Sequence, residues 1–426
     1  MENAKVLARL QAVECRDSTY IPHHHALVFH KAQGSRIWDV EGKEYIDLCA
    51  GFGVHGLGHA SSAFRKVVAE YAAASSEPPF GFPLVHAMGD VYPSQDKIEL
   101  LEKLKAVLPT ALCRGMLALT GGQAVELAIK TAIISKKRSG FIAFKGAYHG
   151  LDLGILPFCS RGDFKEPFTI WSGSSSFNVM HLDWLCDEEA IKGAIGVLQG
   201  QQSGFCGIIV EPVQGRSGIK PAPLPWLQKL HNIVRKYDGV LIFDEIFSGL
   251  GRTGTITHAE EVSCDLLCLG KALGGGLPLS ACFGTEEVMR GWPENKGEAI
   301  HTGTFFGHPL SCRTATQFLN ALVHDDLCRN AQLLGDAAQR YLAEQLSESR
   351  IVKEVRGKGL MIGVEFYQEG LGAACMDEMR AQGVILLANG EKGEGVSITP
   401  ALNIPQELLL EALKRLVEWV KSQERF

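Results

Sequence analysis

Lys271 stands just past a short apolar run, Leu266–Leu269, and shortly before three consecutive glycines, Gly274–Gly276. An ammonium is disfavoured in such an apolar setting, and a lysine that gives up its proton becomes a nucleophile toward carbonyl carbon. Asp244 closes a second apolar run, Val240–Phe243. Glu211 closes a third, Gly207–Val210, just before Pro212. A charge at such a place needs a partner, so Glu211 reads either as half of a structural ion pair or as an acid of a site. Tyr148 follows Phe141–Phe144 and lies between Gly146 and Gly150. Its ring either stacks on a flat ligand or packs its loop onto the core. The segment Thr120–Glu126, TGGQAVE, puts two adjacent glycines between a strand and a helix. An ordinary tight turn has this look. So does a phosphate cradle, in which bare backbone comes close to the ligand and a helix N-terminus offers free N–H groups.

Taken together these positions meet the needs of one cofactor. Pyridoxal 5'-phosphate requires an aldehyde-trapping lysine, a carboxylate that keeps the pyridine nitrogen protonated, a stacking ring and a phosphate cradle. Lys271, Asp244, Tyr148 and the Gly121–Gly122 turn supply one each. The carboxylate matters because a pyridinium withdraws electrons far better than a neutral pyridine. Lys271, once released by a substrate amine, is placed to move the proton as a general base.

The elements that must position these residues alternate along the middle of the chain. Apolar runs at Met116–Leu119, Phe141–Phe144, Gly207–Val210, Val240–Phe243 and Leu266–Leu269 predict strands buried on both faces. Ala124–Ile134 and Trp226–Tyr237 carry apolar residues at helical spacing. The alternation predicts an α/β fold with a mostly parallel central sheet, whose ligands bind beyond the carboxyl ends of the strands. The ends differ. Arg36–Leu48 reads as a hairpin turning at Glu41-Gly42, and the chain after Pro309 is largely helical. An alternating segment, Val352–Phe366, and a last helix, Glu407–Gln423, follow. We expect a large domain over residues 51–310 and a smaller α+β domain built from residues 1–50 and 311–426.

Composition narrows the class. Of 426 residues, 46% are hydrophobic and 21% charged, and the formal net charge is −6. That balance describes a globular protein of about two domains, and it lacks the basic excess of a nucleic-acid binder. The N-terminus has no signal-peptide pattern and no run suffices for a membrane span, so a cytoplasmic location without nucleic-acid or membrane partners is expected. Twelve scattered cysteines without a CxxC pair fit reduced thiols. No metal site is expected, because adjacent residues such as His23, His24 and His25 rarely point at one ion. Two decoys remain. Gly249–Gly254, GLGRTG, matches a dinucleotide fingerprint, but the β-branched residues after it open a helix poorly. LIFDE, ending at Glu245, resembles the magnesium strand of nucleotide hydrolases, yet no GxxxxGK[ST] loop accompanies it.

From Arg36 onward the chain resembles the class III (omega-amino acid type) aminotransferases of pyridoxal-phosphate fold type I. FDEIFSGLGRTG (Phe243–Gly254), LGKALGGGLPLSA (Leu269–Ala281) and HTGTFFGHPLSC (His301–Cys312) carry the resemblance. It implies that Lys271 bonds to the cofactor as a Schiff base and that Asp244 pairs with the pyridine nitrogen. Ile246 packs on one ring face and Tyr148 on the other, with His149 beside it. The backbone of Gly121 and Gly122, helped by Thr120, holds the phosphate. Glu211 matches an acid near the substrate. Thr304 would reach the phosphate in a neighbouring subunit, which implies a homodimer.

Four positions depart from the family's pattern. Gly122 stands where a hydroxyl is usual, Gln123 where an acid is common, and Phe247 where a glutamine is often found. Ser397, in Gly395–Ile404, occupies the place of an arginine that clamps a substrate carboxylate in many members. An amine or omega-amino donor, with an oxo acid as acceptor in a ping-pong cycle, is therefore expected over a plain α-amino acid. Arg161 or Arg216 is available to replace the missing clamp from a loop. The alternative reaction on this scaffold is isomerisation, by an amino-acid racemase or an aminomutase, since both would use the same lysine and aspartate.

Overall fold

Four of the five apolar runs lie within or form a strand, and Met116–Leu119 does so as far as Ala118, because a continuous apolar segment can be buried on both faces only inside a covered sheet. The computed structural model describes residues 2–16, 18–19, 26–74, 89, 91–172, 178–294 and 296–424. Strands β1 (Phe29–Gln33), β2 (Arg36–Asp39) and β3 (Glu44–Asp47) come first. The central ones are β4 (Leu112–Ala118), β5 (Gly140–Phe144), β6 (Asn178–Leu182) and β7 (Phe205–Val210), then a small pair, β8 (Val213–Gln214) and β9 (Lys220–Pro221). Next come β10 (Val240–Asp244), β11 (Leu266–Leu269) and β12 (Ser280–Thr285). The last are β13 (Val352–Lys358), β14 (Met361–Phe366), β15 (Val384–Ile385), β16 (Leu387–Asn389) and β17 (Gly395–Ile398). The longer helices are α1 (Glu2–Gln11), α2 (Ser62–Ala74), α3 (Gln95–Val107), α4 (Gly121–Lys136), α5 (Glu188–Gln199), α6 (Leu224–Lys236), α7 (Pro309–His324), α8 (Leu327–Gln345), α9 (Leu371–Ala381) and α10 (Gln406–Gln423). None of the described helices is long and apolar enough to cross a membrane. The triplet His23–His25 lies outside the described residues.

The central sheet has the order β4-β12-β11-β10-β7-β5-β6. Its neighbours pair in parallel except around β12, which runs antiparallel to both β11 and β4. Every residue of β5, β7, β10 and β11 is buried. Helix α6 buries Trp226, Leu227, Leu230, Ile233 and Val234, a stripe at helical spacing that seals one face of the sheet. Two strands were not expected. β6 is a half-buried edge strand containing Asn178 and His181, and β12 is built largely of small residues, so neither has the bulky apolar run that marks its neighbours. The run expected to end at Leu119 stops at Ala118. There the N–H groups of Leu119 and Thr120 leave the ladder and donate to Gln123 Oε1, at 3.1 and 3.3 Å.

The hairpin lies where the sequence puts it, and Asp39 organises its turn. Its Oδ1 accepts from Glu41 N and Lys43 N, each at 2.9 Å. β3 then pairs in parallel with β15, Ile46 facing Val384, so one sheet, β1-β2-β3-β15, joins both ends of the chain. A second small sheet has the order β13-β14-β17-β16.

The GLGRTG segment is a latch and not a nucleotide loop. Gly251 and Gly254 have φ of 91° and 93°, and no α-helix opens after them. Between them Arg252, 3% exposed, donates through Nη1 to the carbonyls of Leu360 (3.0 Å) and Pro400 (2.5 Å), while its own carbonyl accepts from Leu360 N at 3.0 Å. Burial pushes its guanidinium down to about 10. Helix α8 closes over the same turn. A Cβ added at Gly335 would lie 2.0 Å from the carbonyl oxygen of Gly359. Gly335→Ala therefore sets a gain of about 1 kcal/mol in helix propensity against overpacking on rigid backbone of about 1–3 kcal/mol. The contact dominates, and the variant should unfold at lower urea concentration with an unchanged slope.

Candidate active site

Beyond the carboxyl ends of the parallel strands lies a cavity of about 540 Å³. Nine of the ten residues expected at a cofactor site line it: Thr120, Gly121, Gly122, Tyr148, His149, Glu211, Asp244, Ile246 and Lys271. The tenth, Thr304, is exposed in the turn that leads to Gly307 and stands outside this lining. Phe52, Leu119, Leu151, Asp152, Arg216, Phe247 and Leu279 also face the cavity.

Lys271 leaves β11 with φ of 44°, the left-handed region. A side chain there costs about 1–3 kcal/mol and persists where the surroundings dictate it. Its Nζ sits 4.4 Å from the centre of the Phe247 ring. Phe247 is held in a slot with no side chain on two sides, since a Cβ at Gly215 or Gly53 would meet its ring at 2.5 or 3.0 Å. The phenyl thus fills space and stacks on the amine at the position where the resemblance led to the expectation of a glutamine. Burial pushes the Lys271 ammonium below its usual range, and Asp244 and Glu211 partly oppose this.

Asp244 ends β10 and is 5% exposed. Its Oδ1 accepts from Ile246 N at 3.1 Å, and its Oδ2 accepts from His149 Nδ1 at 2.6 Å. Burial alone would lower the His149 pKa, but the carboxylate outweighs it and the value ends above the ordinary one. His149 Nε2 is buried with no partner among the described residues. Both oxygens of Glu211 take backbone N–H groups, from Tyr148 at 2.9 Å and from Gly215 at 3.0 Å, so this carboxylate shapes two site loops. It is pushed up to about 7 by burial, with Asp244 adding to the shift and His149 opposing it.

Thr120 caps α4. Its Oγ1 accepts from Gln123 N at 3.2 Å while the Gln123 side chain reaches back, a reciprocal cap that needs an amide as readily as an acid. The threonine O–H remains able to donate. The N–H groups of Gly121 and Gly122 begin the helix and have no acceptor among the described residues. A Cβ at Gly121 would lie 2.9 Å from Ile246 Cγ2, and one at Gly122 would lie 2.2 Å from Asp152 Oδ2. The space where the resemblance led to the expectation of a hydroxyl is thus taken by Asp152, two residues after Gly150. The sequence offers no separate signal for Asp152 beyond its place in that loop.

These groups fit pyridoxal 5'-phosphate. A neutralisable amine stands beside a buried carboxylate that keeps a free lone pair on each oxygen, and a bare helix N-terminus suits an oxyanion. Among the described residues no cluster of His, Cys, Asp and Glu has the arrangement to hold a metal.

Comparison with known proteins agrees. The family model for aminotransferase class-III matches residues 19–420. The acetylornithine aminotransferase of Methanopyrus kandleri is 32% identical over 92% of this chain and 93% of its own length. The [LysW]-aminoadipate semialdehyde/glutamate semialdehyde transaminase of Sulfurisphaera tokodaii is 31% identical over 80% of this chain and 81% of its own. Among solved structures, an ornithine aminotransferase from Toxoplasma gondii, described with partial occupancy of PLP at its active site, superposes with a TM-score of 0.83. It is 25% identical and covers 99% of this chain and 95% of its own. The fold is therefore that of the fold type I pyridoxal-phosphate enzymes, the activity is amino transfer, and isomerisation finds no support. Since the matched span takes in every strand end that lines the cavity, the chain belongs to the class-III aminotransferases, which work with pyridoxal 5'-phosphate.

Proposed function

We propose that Lys271 is the residue to which the cofactor is linked, and that the enzyme carries an amino group from an amine or omega-amino donor to an oxo acid in two half-reactions. The observation that carries the first part is the buried amine at the end of β11, which shares one cavity with the Asp244 carboxylate and the Tyr148 ring. The donor reading is supported by Ser397. This residue is 7% exposed, and its hydroxyl accepts from Asn389 Nδ2 at 2.7 Å, a neutral pair with no charge to offer a carboxylate beside the reacting amine.

When bound, the cofactor supplies a carbonyl that captures the substrate amine and a protonated ring that takes up electron density as the substrate carbon loses its proton. Asp244 holds the proton on the ring nitrogen, and His149 fixes that carboxylate's orientation. Tyr148 and Ile246, which line the cavity, would close over the ring and exclude water. The N–H groups of Gly121 and Gly122, with the Thr120 hydroxyl, receive the phosphate. Lys271, whose burial favours the neutral amine, would take the proton from the substrate carbon and hold it on Nζ for return.

The active unit in this reading is a homodimer in which Thr304 serves the cavity of a second copy. Its exposure outside its own chain's cavity supports this. The division into a large domain over 51–310 and a smaller one from 1–50 and 311–426 is supported by the pairing of β15 with β3. Twelve unpaired cysteines support a cytoplasmic setting.

Titrating the purified yellow holoenzyme with diamines, omega-amino acids and α-amino acids tests the donor. The visible band should bleach fastest with a terminal amine and release the matching aldehyde. Faster bleaching by glutamate than by every amine and omega-amino donor would overturn the donor reading.

A further inference from the structure

We propose that Arg216 holds the carboxylate of the oxo-acid acceptor and so sets the acceptor class. This rests on the amino-transfer reading above and names the group of that cavity that recognises the second substrate.

Three carboxylates, Asp152, Glu211 and Asp244, line the cavity, and an oxo acid brings a further negative charge. A fixed cation must meet that charge, and Lys271 is committed to chemistry. Among the described residues Arg216 is the only arginine in the lining. The other arginines near this end of the sheet are already engaged. Arg161 is paired with Asp163, Arg252 with the carbonyls of Leu360 and Pro400, and Arg356 with Gly218, Ile219, Glu354 and Glu365. The Arg216 guanidinium has neither a carboxylate nor a carbonyl partner among the described residues, and its side chain is exposed.

Its setting is built nonetheless. The Arg216 carbonyl accepts from Gly390 N at 3.0 Å. On one side the loop is tied by Gly215 N donating to Glu211, and on the other by Ser217 Oγ donating to Gln214 Oε1 at 2.8 Å. The guanidinium lies over the Tyr148 ring, 5.1 Å from its centre, and 5.9 Å from the centre of Phe164. Stacking on aromatic faces restrains the plane and leaves its N–H edge free, the edge that grips a carboxylate in two parallel bonds. Its charge is felt at both Lys271 and Tyr148, so the free edge belongs to the reacting cluster and not to remote surface. An arginine kept for stability would be expected to end on an acid or on carbonyls, as its three neighbours do.

Glutarate, a dicarboxylate without a reacting carbonyl, serves as the probe with holoenzyme. It should compete with the oxo acid in the wild type. Its inhibition constant should rise about 10- to 100-fold in Arg216→Met, the worth of a hydrogen-bonded charge pair, and less in Arg216→Lys. kcat/KM for the oxo acid should fall in the same order, mainly through KM, and by more than kcat/KM for an aldehyde acceptor without a carboxylate. Retained cofactor absorbance and affinity in both variants confirm folding. Three results overturn the proposal: no glutarate inhibition of the wild type, equal inhibition constants in all three proteins, or loss of cofactor affinity in place of acceptor affinity. Failure of the wild type to convert any oxo acid would instead sink the amino-transfer reading itself.

Discussion

Lys271→Ala should lower amino transfer on the order of 10⁴-fold or more, because one side chain is assigned both the covalent link and the proton transfer. Lys271→Arg separates the amine from the charge. The guanidinium keeps a cation in place but does not lose its proton in a protein, so this variant should be nearly as inactive. Both lie at a left-handed backbone position, so neither relieves the strain that the native lysine carries. Steady-state rates with the best terminal amine measure the loss. Borohydride treatment followed by peptide mass mapping should leave a cofactor-derived mass on Lys271 in the wild type alone. Turnover within tenfold of wild type in Lys271→Ala would end this account of the site.

Asp244→Asn should cost about 10³-fold, in the range found when a group aimed at developing charge is removed. The substitution keeps the volume but removes the negative charge. The ring nitrogen then has nothing to hold its proton, and the 2.6 Å contact with His149 loses its anionic partner. With the carboxylate gone, the burial that already presses the His149 pKa down loses its main opponent, so that pKa should fall. A single-turnover measurement of the first half-reaction at saturating donor isolates the effect, because neither substrate binding nor product release then limits it. Equal single-turnover rates for Asp244→Asn and the wild type would remove Asp244 from the chemistry.

The parts of this site that were legible in the sequence share one property. Lys271, Asp244, Glu211 and the Gly121–Gly122 turn each end a buried apolar run, and a polar residue at such a point contrasts with what precedes it. Strands without that contrast went unseen: β12 is small-residue and β6 is half-buried. Asp152 and Phe247 were opaque for another reason. Their roles depend on glycines distant in the chain, and a close approach across loops leaves no periodic trace. Arg216 was legible as an available cation, but only its lack of an acid partner and its stacking on Tyr148 distinguish it from Arg161. GLGRTG misled because glycines that permit a nucleotide loop also permit a sharp latch, and only the fate of Arg252 tells them apart.

That latch also has a bearing on when the enzyme can come into being. Arg252 grips carbonyls 108 and 148 residues farther along the chain. At a ribosomal pace of about 5–20 residues per second, the farther one emerges about 7–30 s after the arginine. Between the emergence of Thr285 and that of Leu360 every strand of the central sheet has been made, yet a cation destined for the interior has neither of these carbonyls to bind. The nascent protein is then most exposed to chaperones and proteases, and a ribosome stalled short of Pro400 would release a sheet that cannot close over its own arginine.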